Sequence, residues 1–160
     1  MMEKKFPYKS ILVVCSVNTA RSPMTEGFLR DFFSKVKLNI IVKSGGISSN
    51  ARDGMLISLD AKLAMKEVGI ELSDNYLSID LKRHHELLED ADLILTLTEK
   101  HKKEVKKLVD ANNRDIFTLK EFAGLNGDIN DPSMKEIEGF RLARDEIINC
   151  LMKGLNKYSF

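Results

Sequence analysis

The sequence predicts an α/β fold: a doubly wound, three-layer αβα sandwich around a four-stranded parallel sheet. Three observations carry that expectation. Short apolar runs alternate with longer segments of helical period from one end of the chain to the other. The runs are apolar throughout instead of alternating with polar residues, as strands covered on both faces are. No internal repeat, low-complexity tract or interdomain linker interrupts the 160 residues, a length that suits one domain over 1–160 with one substantial core.

The elements follow in order. "SILVVC" (10–15) reads as a buried strand, and "SPMTEGFLRDFFSKV" (22–36) as a helix with Met24, Phe28, Leu29, Phe32 and Phe33 on one side. "LNIIVKS" (38–44) is the second strand, ended by Gly45-Gly46. "ARDGMLISLDAKLAMKEVG" (51–69) is a helix with Leu56, Leu59, Leu63 and Ala64 at helical spacing and Gly69 as its stop. A short helix over 81–91 precedes a third strand, "DLILTLT" (92–98). The segment 99–110 is helical, "DIFTL" (115–119) is the fourth strand, and 135–155 is a closing helix. Strand–helix alternation of this kind implies right-handed crossovers, with ligands bound beyond the carboxyl ends of the strands.

Composition narrows the function. The chain is 43% hydrophobic and 31% charged, with a formal net charge of +1. That balance lacks the basic footprint of a nucleic-acid binder. No run approaches the length of a membrane span, and "MMEKKFPYKS" at the N-terminus lacks a signal-peptide apolar stretch. A cytoplasmic protein without nucleic-acid or membrane partners is expected. Two cysteines, Cys15 and Cys150, make neither a disulfide scaffold nor a zinc site, and no metal or cofactor is called for. His84-His85 is read as surface, because adjacent helical residues point apart and no carboxylates complete a metal site. In "EKHKKEVKK", Leu97, Val105 and Leu108 suit a core stripe with the lysines in water.

The informative stretch is "CSVNTARSP" (15–23). It leaves a strand and enters a helix within a few residues, so successive backbone N–H groups point into one concavity. Such a nest at a helix N-terminus binds tetrahedral oxyanions. Arg21 adds a planar guanidinium that holds two phosphate oxygens at once. A helix N-terminus and an arginine also favour an anion at the cysteine, and the thiolate is sulfur's nucleophilic form. This phosphate-binding loop between the first strand and first helix therefore combines a nucleophile, Cys15, with an anion cradle. Pro23 suits the first helical position, and Ser22 can cap the helix or donate to the Cys15 sulfur. Asn18 is the loop residue best able to take a left-handed backbone. Attack on phosphorus also needs an acid for the leaving group and a base for water. Asp131 in "NDPS" is the best carboxylate, aimed by the proline after it, and Asp128 is the reserve.

"VCSVNTARSPMTEG" resembles the signature loop of the low-molecular-weight protein tyrosine phosphatases, V-C-x-G-N-x-C-R-S-P-M-A-E. The resemblance runs over nearly the whole chain: "KSGG" (43–46), "EDADLILTLTEKHKKEV" and "DIFTLKEFAG…DINDP" match family segments in order and spacing. It implies a metal-independent phosphatase acting through a cysteinyl phosphate, with Cys15 as nucleophile, Arg21 as phosphate clamp and Asp131 as acid and then base. Ser16, Val17, Asn18, Thr19, Ala20, Ser22 and Ser44 would form or brace the loop. The implied partners are a phosphorylated protein and phosphate, sulfate or vanadate in the loop, with the chain a monomer or weak dimer.

The departures shape the substrate question. Val17 replaces a family glycine, so either that position keeps φ negative or the loop is altered. Ala20 stands where many members carry a second loop cysteine that forms a protective disulfide, which predicts irreversible inactivation by peroxide. Phosphotyrosine members line their mouth with aromatics, whereas Ile47-Ser48-Ser49-Asn50 and Ser133-Met134 supply none. Thr19, with "FTLKEF", resembles bacterial members acting on phosphoarginine in proteins, which makes a protein-arginine phosphatase the alternative to the phosphotyrosine class. An arsenate reductase would need further cysteines near 80–95, and none is there. A phosphate-binding regulator without turnover is the remaining alternative.

Overall fold

The computed structural model describes residues 4–160; the first three residues of the N-terminal stretch lie outside the described residues. Four strands, β1 (Ser10–Cys15), β2 (Ile41–Gly46), β3 (Leu93–Thr96) and β4 (Asp115–Thr118), form one parallel sheet in the order β2-β1-β3-β4. Among the described residues six α-helices accompany the sheet: α1 (Arg21–Lys35), α2 (Leu59–Lys66), α3 (His85–Asp90), α4 (Glu99–Leu108), α5 (Leu119–Phe122) and α6 (Glu136–Leu155).

The period of two along a strand explains the unbroken apolar runs. Ile11 and Val13 of β1 and Leu93 and Leu95 of β3 face one layer, against Met24, Leu29 and Phe33 of α1, Ala64 and Met65 of α2 and Ile147 and Leu151 of α6. Leu12, Val14 and Ile94 face the other layer, against Leu88 of α3 and Val105 of α4. Successive side chains of one strand thus enter two different cores, and the doubly wound architecture read from the sequence is the one observed. Because β2 lies on one side of β1 and β3 on the other, the chain reverses direction across the sheet between them. A crevice opens at the carboxyl end of β1 at such a reversal, and the loop after Cys15 occupies it.

Several boundaries differ from the sequence reading for physical reasons. Helix α1 begins at Arg21, so Ser22 and Pro23 are its second and third residues; the N-cap is Ala20, without a side-chain cap, and Ser22 does not cap the helix. Strand β2 starts at Ile41 and runs through both glycines, pairing Gly45 with Val14 and Gly46 with Cys15. These glycines allow close approach and do not end the strand. A Cβ on Gly45 would lie 2.5 Å from Leu81 Cγ, and one on Gly46 would lie 2.7 Å from the Ser16 carbonyl oxygen.

Helix α2 is much shorter than 51–69. Residues 51–58 are irregular, with Gly54 at φ +85° and Leu56 bridged to Leu77. Two stripes compete in α2, and of the residues expected at helical spacing only Ala64 is inside. The small residues Ala61 and Ala64, with Met65, take the buried face, which leaves Leu56, Leu59 and Leu63 exposed. The segment 81–91 divides into a 3-10 turn (Leu81–Arg83) and α3. Strand β4 stops at Thr118, whose hydroxyl accepts the Glu121 N–H at 3.0 Å while Glu121 accepts the Thr118 N–H at 2.8 Å. That reciprocal cap starts α5, which the sequence reading folded into the strand and loop. Among the described residues no helix is long and apolar enough to cross a membrane.

Candidate active site

Cys15 ends β1 and is buried at the base of the loop. Its sulfur accepts the Asn18 backbone N–H at 3.2 Å and lies 2.9 Å from Ser22 Oγ. The side-chain amide of Asn18 donates to that same Ser22 oxygen at 2.8 Å, which leaves the Ser22 proton to point at the sulfur. Two donors therefore converge on Sγ.

Asn18 has φ +64°, the only positive φ among the loop residues 16–20. Val17 thus avoids the left-handed region, and the turn a family glycine would ease falls on Asn18 instead. The amide of Asn18 also donates to Ser44 Oγ at 2.9 Å, and its oxygen accepts the Ile79 N–H at 2.9 Å. Fully buried and bonded on every side, Asn18 is the post on which the loop turns. Thr19 is fixed through its carbonyl, which accepts the Ser58 N–H at 2.9 Å. Among the described residues the N–H groups of Ser16, Val17, Thr19 and Ala20 find no acceptor, consistent with the anion nest.

Arg21 is buried, and it donates from Nη1 to the Ile129 carbonyl at 2.7 Å, with Nη2 3.4 Å from Ser16 Oγ. The bond to Ile129 ties the guanidinium to the Gly/Asn-rich loop carrying Asp131. That loop is itself pinned where the Ile129 N–H donates to Leu97 O at 2.9 Å, just past β3. Arg21 therefore ties the loop that follows Cys15 to the loop carrying Asp131.

A family model described as low molecular weight phosphotyrosine protein phosphatase matches residues 10–158, from the first residue of β1 to beyond the end of α6. The chain belongs to that family. Its members are hydrolases of phosphoric monoesters, and so is this chain. It is 39% identical over 142 residues to a protein-arginine-phosphatase of Geobacillus stearothermophilus, covering 88% of this chain and 89% of the relative. A low molecular weight protein tyrosine phosphatase from T. tengcongensis superposes with a TM-score of 0.82 at 31% identity, covering 92% of this chain and 98% of the other. A mutant YwlE arginine phosphatase with a phosphorylated active-site serine superposes with a TM-score of 0.79 at 33% identity, covering 92% and 95%. These relatives carry phosphatase names and give no support to the arsenate-reductase or binding-only alternatives.

The two aspartates of the loop between α5 and α6 have different partners. Asp131 is exposed and accepts the Ser133 N–H at 3.0 Å and the Ser133 hydroxyl at 2.5 Å. Partial burial pushes its carboxyl up, but the Ser133 bonds and the nearby Arg21 charge outweigh that and hold it below its ordinary range. Asp128 instead accepts the Glu99 N–H at 2.8 Å and secures the start of α4.

Three residues of the site escaped the sequence reading. Tyr76 places its hydroxyl against Ser44 Oγ and 3.2 Å from the Asn18 amide, and donates to Glu26 Oε1 at 2.8 Å. Burial beside the Glu26 carboxylate pushes its phenol well up, so it stays a donor. Buried Glu26 also accepts from Ser44 at 2.5 Å and pairs with Arg30 at 2.7 Å. Glu26 could have been suspected from its place in "RSPMTEG"; nothing local marked Tyr76. The third is His101 in "EKHKK". Its ring is buried, with Nε2 2.8 Å from Ser16 Oγ and Nδ1 without a partner. Burial first, and then the Arg21 charge, push its pKa down to about 4, so it is a neutral brace under Ser16. His84 pairs with Asp53 at 2.9 Å, away from the loop.

Proposed function

We propose that this chain dephosphorylates proteins through a cysteinyl phosphate on Cys15, with Arg21 as phosphate clamp and Asp131 as acid and base. The supporting observation is the convergence of Asn18 N–H and Ser22 Oγ on the Cys15 sulfur beside an arginine bonded to the acid loop. Sγ attacks phosphorus as the bond to the leaving atom breaks, and Asp131 gives that atom its proton. The guanidinium and the loop N–H groups hold the phosphoryl oxygens as charge builds on them. In the second step the Asp131 carboxylate takes a proton from water, the water oxygen attacks phosphorus, and Cys15 leaves as thiolate with release of phosphate.

Asp131 is held ionised before substrate arrives, yet the first step needs it protonated. A bound phosphoryl dianion neutralises Arg21 and adds negative charge beside the carboxyl; both effects raise the pKa of Asp131 toward the acid form. Neither step calls on a metal or cofactor. Both cysteines are free and buried, which suits a reducing cytoplasm, and residues 1–160 are read as one phosphatase domain.

The preferred substrate is a protein phosphorylated on arginine. Thr19 in the loop and a mouth without aromatic rings, over Ile47–Asn50 and Ser133–Met134, favour this reading, as does the Geobacillus relative. Phosphotyrosine is the second reading, favoured by the likeness to the T. tengcongensis protein. Side-by-side rates on phosphoarginine and phosphotyrosine peptides separate them, repeated with Thr19→Ile. The arginine reading expects faster phosphoarginine turnover by wild type, and Thr19→Ile to depress it while phosphotyrosine turnover holds or rises. Equal loss on both substrates, or faster phosphotyrosine turnover by wild type, would overturn it.

A further inference from the structure

We propose that His101 is a positioning residue for catalysis: through the Ser16 hydroxyl it fixes the plane of the Arg21 guanidinium. The inference rests on the reading of Arg21 as phosphate clamp and adds what aims that clamp.

Arg21 is the first residue of α1, and its side chain is anchored at both terminal nitrogens. Nη1 donates to Ile129 O at 2.7 Å and Nη2 to Ser16 Oγ at 3.4 Å. Two of the five guanidinium N–H groups are thereby used, and three remain for phosphoryl oxygens. Two anchors at different corners of a planar fork fix its rotation, whereas one leaves it free to swing. The anchors differ in stiffness. Ile129 O belongs to backbone pinned by the bond from the Ile129 N–H to Leu97 O. Ser16 Oγ sits on a side chain with three staggered positions, and among the described residues its second partner is His101, with Nε2 at 2.8 Å. An arginine only donates, so in either imidazole tautomer the Ser16 oxygen stays the acceptor for Nη2. What the ring settles is where that oxygen stands.

His101 is itself held firmly. It is the third residue of α4, its N–H donates to Thr98 Oγ1 at 3.2 Å, and it is 3% exposed. The start of α4 is tied in turn to the loop carrying Asp131, where Asp128 accepts the Glu99 N–H. Among the described residues Nδ1 is buried without a partner, so the hydrogen bonding of the ring goes to Ser16 alone. An unpartnered buried nitrogen destabilises a fold, and packing by itself would favour an apolar side chain of similar size. The bond to Ser16 is what an imidazole supplies there and an apolar group does not. Arg21, Lys100, Asp128 and Asp131 are the charged groups that act on the ring. Being neutral, it can stand beside a guanidinium, where a lysine would repel it.

Steady-state hydrolysis of an aryl phosphate tests the proposal, with folding of each variant checked by its urea midpoint at pH 7. His101→Met fills the space without bonding to Ser16, and Ser16→Ala removes the hydroxyl from the other side. Each should lower kcat about tenfold and leave KM within about threefold, short of the roughly 100-fold that losing a charge-holding donor itself costs. His101→Gln and Ser16→Thr keep the bond and should stay within about twofold of wild type. The double variant should fall no further than either single one, because both cut the same chain of contacts. In an Arg21→Lys background a single ammonium cannot use two anchors, so adding His101→Met should cost less than about twofold. A wild-type kcat in His101→Met, an equal loss in His101→Gln, or an undiminished loss in the Arg21→Lys background overturns the proposal. Should His101→Met fail to fold, Ser16→Ala and Ser16→Thr carry the same comparison. Should Arg21→Lys turn over too slowly to follow, vanadate affinity replaces rate in that arm. Wild-type turnover by Arg21→Lys alone would instead remove the clamp assignment, a failure distinct from that of His101.

Discussion

Replacing His101 with glutamine isolates the neutral imidazole beneath the phosphate loop. Glutamine can still bond to Ser16 Oγ but does not titrate. In the unfolded chain the imidazole gains a proton as pH falls through 6.5, whereas in the folded chain burial and Arg21 hold it neutral down to about 4. Between those values the unfolded state binds more protons, so stability falls as the solution is acidified. At about 1.4 kcal/mol per pH unit, the wild type loses about 3 kcal/mol over that window through this one group. Carboxylates held low, such as Asp131 and Glu121, also cost stability on acidification, but both proteins share them. Urea denaturation at pH 7 and pH 4.5 should therefore show a larger acid-induced drop for wild type than for His101→Gln. With a slope of about 2 kcal/mol per molar urea, the two drops should differ by about 1 M in midpoint. Equal drops in the two proteins would refute a buried neutral imidazole, and with it the brace it gives Ser16.

Three further outcomes follow from the site. Gly46→Ala puts a Cβ 2.7 Å from the Ser16 carbonyl and 2.9 Å from Val17 Cα, backbone that cannot give way without moving the loop. It should lower kcat/KM for an aryl phosphate about 100-fold, as a displacement of about 1 Å at reacting groups does, and near-normal kinetics would contradict the packing. Ser133→Ala removes a hydroxyl bond that holds Asp131 low, so the alkaline limb of the pH–rate profile should move to higher pH; an unmoved limb would remove Asp131 as the acid. Ala20 leaves Cys15 without a neighbouring thiol in the loop, so peroxide should inactivate the protein irreversibly, and rapid recovery on adding a thiol reductant would count against that.

The central strand, the loop and its three principal residues were legible because each is written locally. A fully apolar run must be covered on both faces, and Cys15, Arg21 and Asn18 lie in one short stretch whose chemistry is self-contained. The errors arose where one local pattern served two ends. In α2 the leucine stripe and the alanine stripe have the same period, and only the close approach of α6 decides which one is buried. Gly45 and Gly46 resemble a strand end, but they answer to Leu81 and to the backbone of Ser16, which the chain reaches by different routes. The capping box of Thr118 and Glu121 is present in the sequence, but its two halves fall on either side of the expected boundary between strand and loop. Tyr76 and His101 could not have been assigned from their own segments. Each acts on the loop across the fold, through Asn18 in one case and Ser16 in the other.

The most direct test of the account is whether the phosphoryl group passes through Cys15. Asp131→Ala, slowed in both steps, is mixed with a phosphoarginine peptide, quenched rapidly and analysed by mass spectrometry. The account predicts one phosphoryl group on the fragment containing Cys15, appearing as the peptide is consumed and decaying as phosphate is released. Consumption of the peptide with that fragment unmodified at every quench time would contradict it.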